Sequence, residues 1–91
     1  MTTDELFIQL VLIFHQYAMI SMGKIMNPVT DKIERNLDQA KQSIDMLEMI
    51  KEKTKNNLSL SLSKVVDQAL TEMRLNFVDE SNKTVTHENP V

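Results

Sequence analysis

Residues 6–22 read LFIQLVLIFHQYAMISM, seventeen positions of which thirteen are apolar and none carries a fixed charge. Placed on a helix at about 100° per residue, these side chains cover most of the circumference instead of forming one stripe. The clearest polar seam runs through Gln9, Gln16 and Gly23, seven apart and nearly in line, with His15 on another side and Ser21 on a third. One neighbouring helix cannot shelter so much, so the chain must supply two packing faces or leave one for another molecule. Lipid fits poorly: a spanning helix needs about twenty almost uninterrupted apolar residues, and Gln9, the His15-Gln16 pair and Ser21 break this run. Met1-Thr2-Thr3-Asp4-Glu5 places acids where a secretory signal carries bases, and no A-x-A-like cleavage site follows.

Working outward, the 91 residues make one small domain with a modest core, for which oligomerisation is the available support. There is no cysteine, which rules out disulfides and thiolate metal sites and fits a reducing cytoplasm. A net charge of -3 with arginine only at positions 35 and 74 argues against a nucleic-acid surface, which concentrates basic residues and stacking partners. One glycine, two prolines and seven methionines describe long regular helices with adaptable packing and few tight turns.

Thr3 or Asp4 can cap the first helix, and Asp4 and Glu5 sit where negative charge favours the positive end of the helix dipole. Gly23 and Pro28 bound its other end, giving a helix over about residues 4–24. After the connector Asn27-Pro28-Val29-Thr30, Asp31 and Glu34 have the layout of a capping box and predict a second helix over about 31–55. Its positions Ile33, Leu37, Ala40, Ile44 and Leu47 follow a 4-3-4-3 spacing, continued more loosely by Ile50 and Thr54. Beside that stripe, Asp31, Glu34, Asp38, Asp45, Glu48 and Glu52 form an acidic face, read as solvated and laced by pairs such as Asp31 with Arg35 and Glu48 with Lys51. Lys51, Lys53 and Lys55 complement the dipole at the helix end, and Asn56 is suited to close it in left-handed geometry.

Residues 58–63, LSLSLS, alternate as a strand would, but no partner strand exists for them. Leu62, Val66, Ala69, Met73 and Phe77 restore helical spacing, so a third helix is expected over about 59–78 with Ser59 as its cap. From Asp79 the chain reads DESNKTVTHENPV, with Val85 and Val91 its only apolar residues, and is expected to be a disordered polar tail over 79–91. Residues 1–78 then form a single helical domain.

Gly23 and Asn27-Pro28, then Leu37, Ala40, Ile44-Asp45-Met46-Leu47, Lys53-Thr54-Lys55, Asn57-Leu58, Leu70 and Arg74, together resemble a family of small bacterial helical proteins catalogued only as a domain of unknown function. The resemblance spans about residues 6–78. Asn56 stands where that family usually has glycine, and Ser59-Leu60-Ser61 where it has acids. The resemblance implies a bacterial, all-helical protein and brings no activity with it.

The chemistry points the same way. A nucleophile needs a base in reach and the base an orienting partner, yet the helices carry one histidine, no cysteine, and serines at turns or caps; no glycine-rich loop is present to cradle phosphate. The expectation is a non-enzyme without cofactor or metal. Candidate residues are few. His15 is the titratable group within the apolar helix and the first choice for a pH-sensitive contact. Lys51, Lys53 and Lys55, with the amides opening the third helix, are weak candidates for an anion site. Met46 and Met49 lie off the second helix's stripe, where a second chain could cover them.

The sequence therefore predicts an all-α fold: a three-helix antiparallel arrangement, dimerised into a larger helical bundle through Phe7, Leu10, Phe14, Tyr17, Met22, Met46 and Met49. The matching role is a cytoplasmic interaction protein that forms a homodimer or holds a protein partner through its first helix. A peripheral membrane protein using that helix as an interfacial anchor is the alternative, and a carrier of small hydrophobic ligands the third.

Overall fold

The computed structural model describes residues 1–88, and side-chain surroundings through Lys83. Three helices pack against one another: α1 (Thr3–Ser21), α2 (Leu37–Lys53) and α3 (Leu60–Glu88). Among the described residues the one β feature is an isolated antiparallel bridge between Asn27 and Lys32. The chain turns back after α1 and again after α2, so α2 runs antiparallel to both its neighbours. Cross-links agree: Lys51 with Asp67 and Glu48 with Arg74 run in opposite senses along α2 and α3, whereas His15 with Glu72 and Lys24 with Asp79 keep a nearly constant offset along α1 and α3.

Each helix is bounded by local chemistry. Thr2, one residue earlier than expected, caps α1: its hydroxyl accepts from the Glu5 amide at 3.1 Å and donates to the Glu5 carboxylate at 3.0 Å. The helix ends at Ser21, short of the expected residue 24. Gly23, at φ 82°, closes it with bonds from its own amide to the Ile20 carbonyl and from the Lys24 amide to the Met19 carbonyl, the paired pattern of a Schellman ending. A Cβ on Gly23 would lie 3.4 Å from the Glu34 carbonyl oxygen, so the connector packs directly over this turn.

The second helix does not begin at Asp31. Asn27 accepts the Asp31 amide on its carbonyl and the Val29 amide on its side chain, which folds residues 27–31 into a tight turn and puts Asp31 at φ 58°. The helix starts six residues later, at Leu37, with Asn36 capping the Gln39 amide at 3.1 Å while its own amide donates to the Ser21 carbonyl at 2.7 Å. Ile33, expected to open the apolar stripe, therefore lies exposed in the connector. Leu37, Ala40, Ile44, Leu47 and Ile50 pack inward as their spacing requires. The helix ends at Lys53, before the expected Lys55, and Asn56 adopts the left-handed conformation at φ 69°.

Ser59 caps α3 through the Leu62 amide, so LSLSLS is the start of a helix. Of its inner stripe, Val66, Ala69, Leu70 and Met73 join Val11, Ala18, Met19 and Met22 of the first helix and its cap with Ala40, Ile44 and Leu47 of α2 in one core, and Leu62 is buried as well. The large enclosed members each contribute about 1.5–3 kcal/mol. α3 continues to Glu88, past its expected end at Val78 and into the segment 79–91 expected as a polar tail, of which residues 89–91 lie outside the described residues.

Candidate functional site

Two regions of the surface bring polar or apolar groups together in ways that the separate helices do not explain. The first is a charged corner where the connector meets the far end of α3. Glu80 continues the inner stripe of α3, seven residues beyond Met73, and is only 7 % exposed. Its carboxylate accepts from Lys24 at 2.9 Å, Arg35 at 3.3 Å and Lys83 at 2.9 Å, and its carbonyl accepts from Arg35 at 2.6 Å. Lys24 also reaches Asp79 at 2.8 Å. The hydrogen bonds from Lys24 and then Lys83 and Arg35 outweigh burial and hold the Glu80 carboxyl down at about 2, while Lys24 is held well above its ordinary range by Asp79 and Glu80. Lys24 follows α1 and Arg35 precedes α2, so one buried carboxylate fastens both ends of the connector. Among the described residues the charges of this cluster pair with one another. Sequence reading missed it by ending the helix at Val78 and pairing Arg35 with Asp31; continuing the 4-3 spacing through Phe77 to position 80 is the signal that locates it.

The second region is the outer side of α1. Leu6, Leu10, Ile13 and Tyr17 repeat at 4-3-4 intervals, and each is between 38 and 62 % exposed. This stripe is flanked by Gln9 and Gln16 and carries no charge. On α2, Gln39, Gln42, Met46 and Met49 recur at 3-4-3 intervals on the side turned from the core, with Met46 and Met49 exposed. The two stripes belong to one face: Tyr17 and Gln39 line the same cleft, and the bond from the Asn36 amide to the Ser21 carbonyl fixes the antiparallel register there. With both helices rising about 1.5 Å per residue, Leu10 is level with Met46 and Leu6 with Met49 or Ile50.

Of the expected interface residues, Leu10, Tyr17, Met46 and Met49 therefore fall on this exposed face. Phe7 and Phe14 lie half-buried against the core, and Met22 is fully enclosed and unavailable to any partner. The reason is rotational: Met22 follows Val11 and Ala18 around the helix on the side that α2 and α3 cover. Leu6 and Ile13, which composition alone did not separate from the core, belong to the face in their place.

His15 points to the other side of α1, toward α3, where its Nε2 lies 3.0 Å from the Glu72 carboxylate above a cleft lined by Val11, Leu12, Val65 and Ala69. It is a seam residue between two helices of the same chain. The three lysines do not converge. Lys51 is committed to Asp67 at 2.7 Å, and that carboxylate shares with Lys55 the cleft an anion would occupy, which Lys53 does not line. The acidic face is likewise differently paired than expected, Glu48 reaching Arg74 at 2.8 Å and Asp45 Lys41 at 3.3 Å. Among the described residues no group of histidines and carboxylates is disposed to hold a metal ion, and no helix is long and apolar enough to cross a membrane.

Residues 5–80 match the family model described as Domain of unknown function (DUF1844). No curated protein and no solved structure matches the chain.

Proposed function

The chain belongs to this family, a domain of unknown function, and as that membership assigns no activity, we propose from its surface that it is a non-enzymatic helical interaction protein of the cytoplasm. It works by burying the joint α1–α2 face against another protein chain. The observation that carries this reading is the uncharged, regularly spaced stripe of Leu6, Leu10, Ile13 and Tyr17, exposed beside Met46 and Met49. Single exposed apolar residues are ordinary, but a contiguous patch across two helices marks an interaction surface. Charged groups elsewhere pair with one another, as Glu80 does with Lys24 and Asp67 with Lys51 inside its own cleft.

The test is a photoreactive amino acid at position 10, with position 38 on the solvated side of α2 as control, irradiated in the producing cells. Discrete protein adducts are expected at position 10 and not at 38. Equal labelling at both positions, or adducts to lipid alone, would overturn the reading.

A further inference from the structure

We infer that the occupant of the α1–α2 face is a second copy of this chain, docked with the two α1 helices antiparallel. The inference rests on the interaction reading above and names its partner. A twofold interface requires one patch to be complementary to itself. The 4-3-4 spacing of Leu6, Leu10, Ile13 and Tyr17 reads the same from either end. An antiparallel copy whose axis passes midway between residues 10 and 13 sets Leu10 against Ile13 of the partner subunit and Leu6 against Tyr17 of the partner subunit. Every large side chain of the stripe then meets another apolar one.

Charge distribution selects the same orientation. Asp4 and Glu5 occupy the first turn of α1, and its last turn carries no basic residue of its own. A parallel pairing would bring the acidic ends and the like poles of the helix dipoles together; the antiparallel one separates the acids and sets opposite poles side by side. Packing α1 on the α2 of the partner is the other way to use the face, and it would set Ile13 and Tyr17 against the level of Gln42 and Gln39. Pairing α1 with α1 keeps the α1 stripe apolar against apolar and places the glutamines opposite Met46 and Met49 of α2 instead. The same axis carries α2 onto α2 with Met46 close to its own copy, because residues 10–13 of α1 are level with about 43–46 of α2. The face is one α1 length long, about 28 Å for 19 residues, and two helix diameters, about 20 Å, across. That footprint is of the order of the roughly 800 Å² each partner buries in a stable dimer.

The chain has no cysteine, so engineered ones report cleanly. Leu6 and Tyr17 are eleven residues apart, about 16 Å along one helix, too far for a disulfide within the chain. The chain carrying both Leu6→Cys and Tyr17→Cys is expected to form a disulfide-linked dimer on mild oxidation, with peptide mapping joining residue 6 to residue 17, while either single variant stays unlinked. Self-linking of the Leu6→Cys chain, or no link in a chain that sediments as a dimer, would overturn the antiparallel arrangement. If the cysteine variants lose their helical circular dichroism, a photoreactive residue at position 6 replaces them, its adduct expected near residue 17 of a second copy and not near residue 6. A chain that sediments as a monomer at micromolar concentration and yet gives adducts with a different protein would overturn self-pairing while leaving the interaction reading in place.

Discussion

The two sides of α1 carry the same kind of residue and meet opposite fates. Phe7, Val11, Phe14, Ala18 and Met22 follow the helix inward, and Leu6, Leu10, Ile13 and Tyr17 follow it outward. Apolar content cannot explain the division, since both stripes have it. Polar contacts at the helix edges fit one rotation: His15 meets Glu72 on α3, and the carbonyl of Ser21 takes the Asn36 amide that opens α2. Small residues then decide how closely the inner side can be approached, with Ala18, Ala40 and Ala69 all in the core. A helix apolar all round thus has one face taken up by the fold and the other left exposed.

The contrast is broken most forcefully at Met22. Placed at the interface by its position in the apolar run, it is enclosed by the chain's own core. Met22→Ala is expected to cost about 3 kcal/mol of stability, through lost burial and the cavity left behind, in denaturant unfolding followed by circular dichroism. A loss under about 1 kcal/mol would place Met22 with the outer stripe instead.

How far the sequence could separate the two sides depended on whether a signal was local. The number and type of helices were readable, as were the inward stripe of α2 from Leu37 to Ile50, the inward residues of α3 from Leu62 to Phe77, the Ser59 cap and the left-handed Asn56, because each rests on spacing or on one residue's conformational preference. The start of α2 was not. Asp31 and Glu34 have the spacing of a capping box, but Asn27 captures the backbone of the same segment first. The end of α3 was hidden for a different reason: a polar segment has no burial signal of its own, and Glu80 is buried only because Lys24 and Arg35 arrive from 56 and 45 residues away in sequence. Which half of α1 faces outward depends on the same long-range arrangement, so the candidate face was visible as a helix and not as a stripe.

The charged corner is the converse of the outer face, since there the chain buries charge and leaves none unanswered. Glu80→Gln keeps the shape and removes the charge that Lys24, Arg35 and Lys83 share, and is expected to cost about 2 kcal/mol, the range for hydrogen bonds to charged groups. Acid titration sharpens the assignment. The Glu80 carboxyl is held at about 2 in the folded chain against an ordinary 4.5, so between these values the unfolded chain binds the extra proton. The stabilisation is complete above pH 4.5 and is lost as pH falls toward 2. In Glu80→Gln that part of the stability profile flattens, and a variant whose acid dependence matched the parent chain would show that Glu80 does not anchor the corner.

The smallest expected effect on the monomer is the most informative about the outer face. Ile13 stands at the centre of the stripe and is its most exposed member, at 62 %. Because it packs little within its own chain, Ile13→Asp is expected to change the stability of the isolated monomer by only about 0.5 kcal/mol, a surface substitution between residues of similar helix propensity. Across an antiparallel pair, however, it places a carboxylate against Leu10 of the partner subunit and repeats that burial by symmetry. An unpaired charge taken out of water on each side is incompatible with the contact, so sedimentation at micromolar concentration should show the variant as a folded monomer. The pairing of these outcomes is the point: a substitution that unfolded the chain would move Ile13 to the inner stripe, and one that left both fold and association unchanged would remove the outer stripe from the interface. Only a chain that keeps its fold and loses its partner distinguishes a face built for association from a face built for the core.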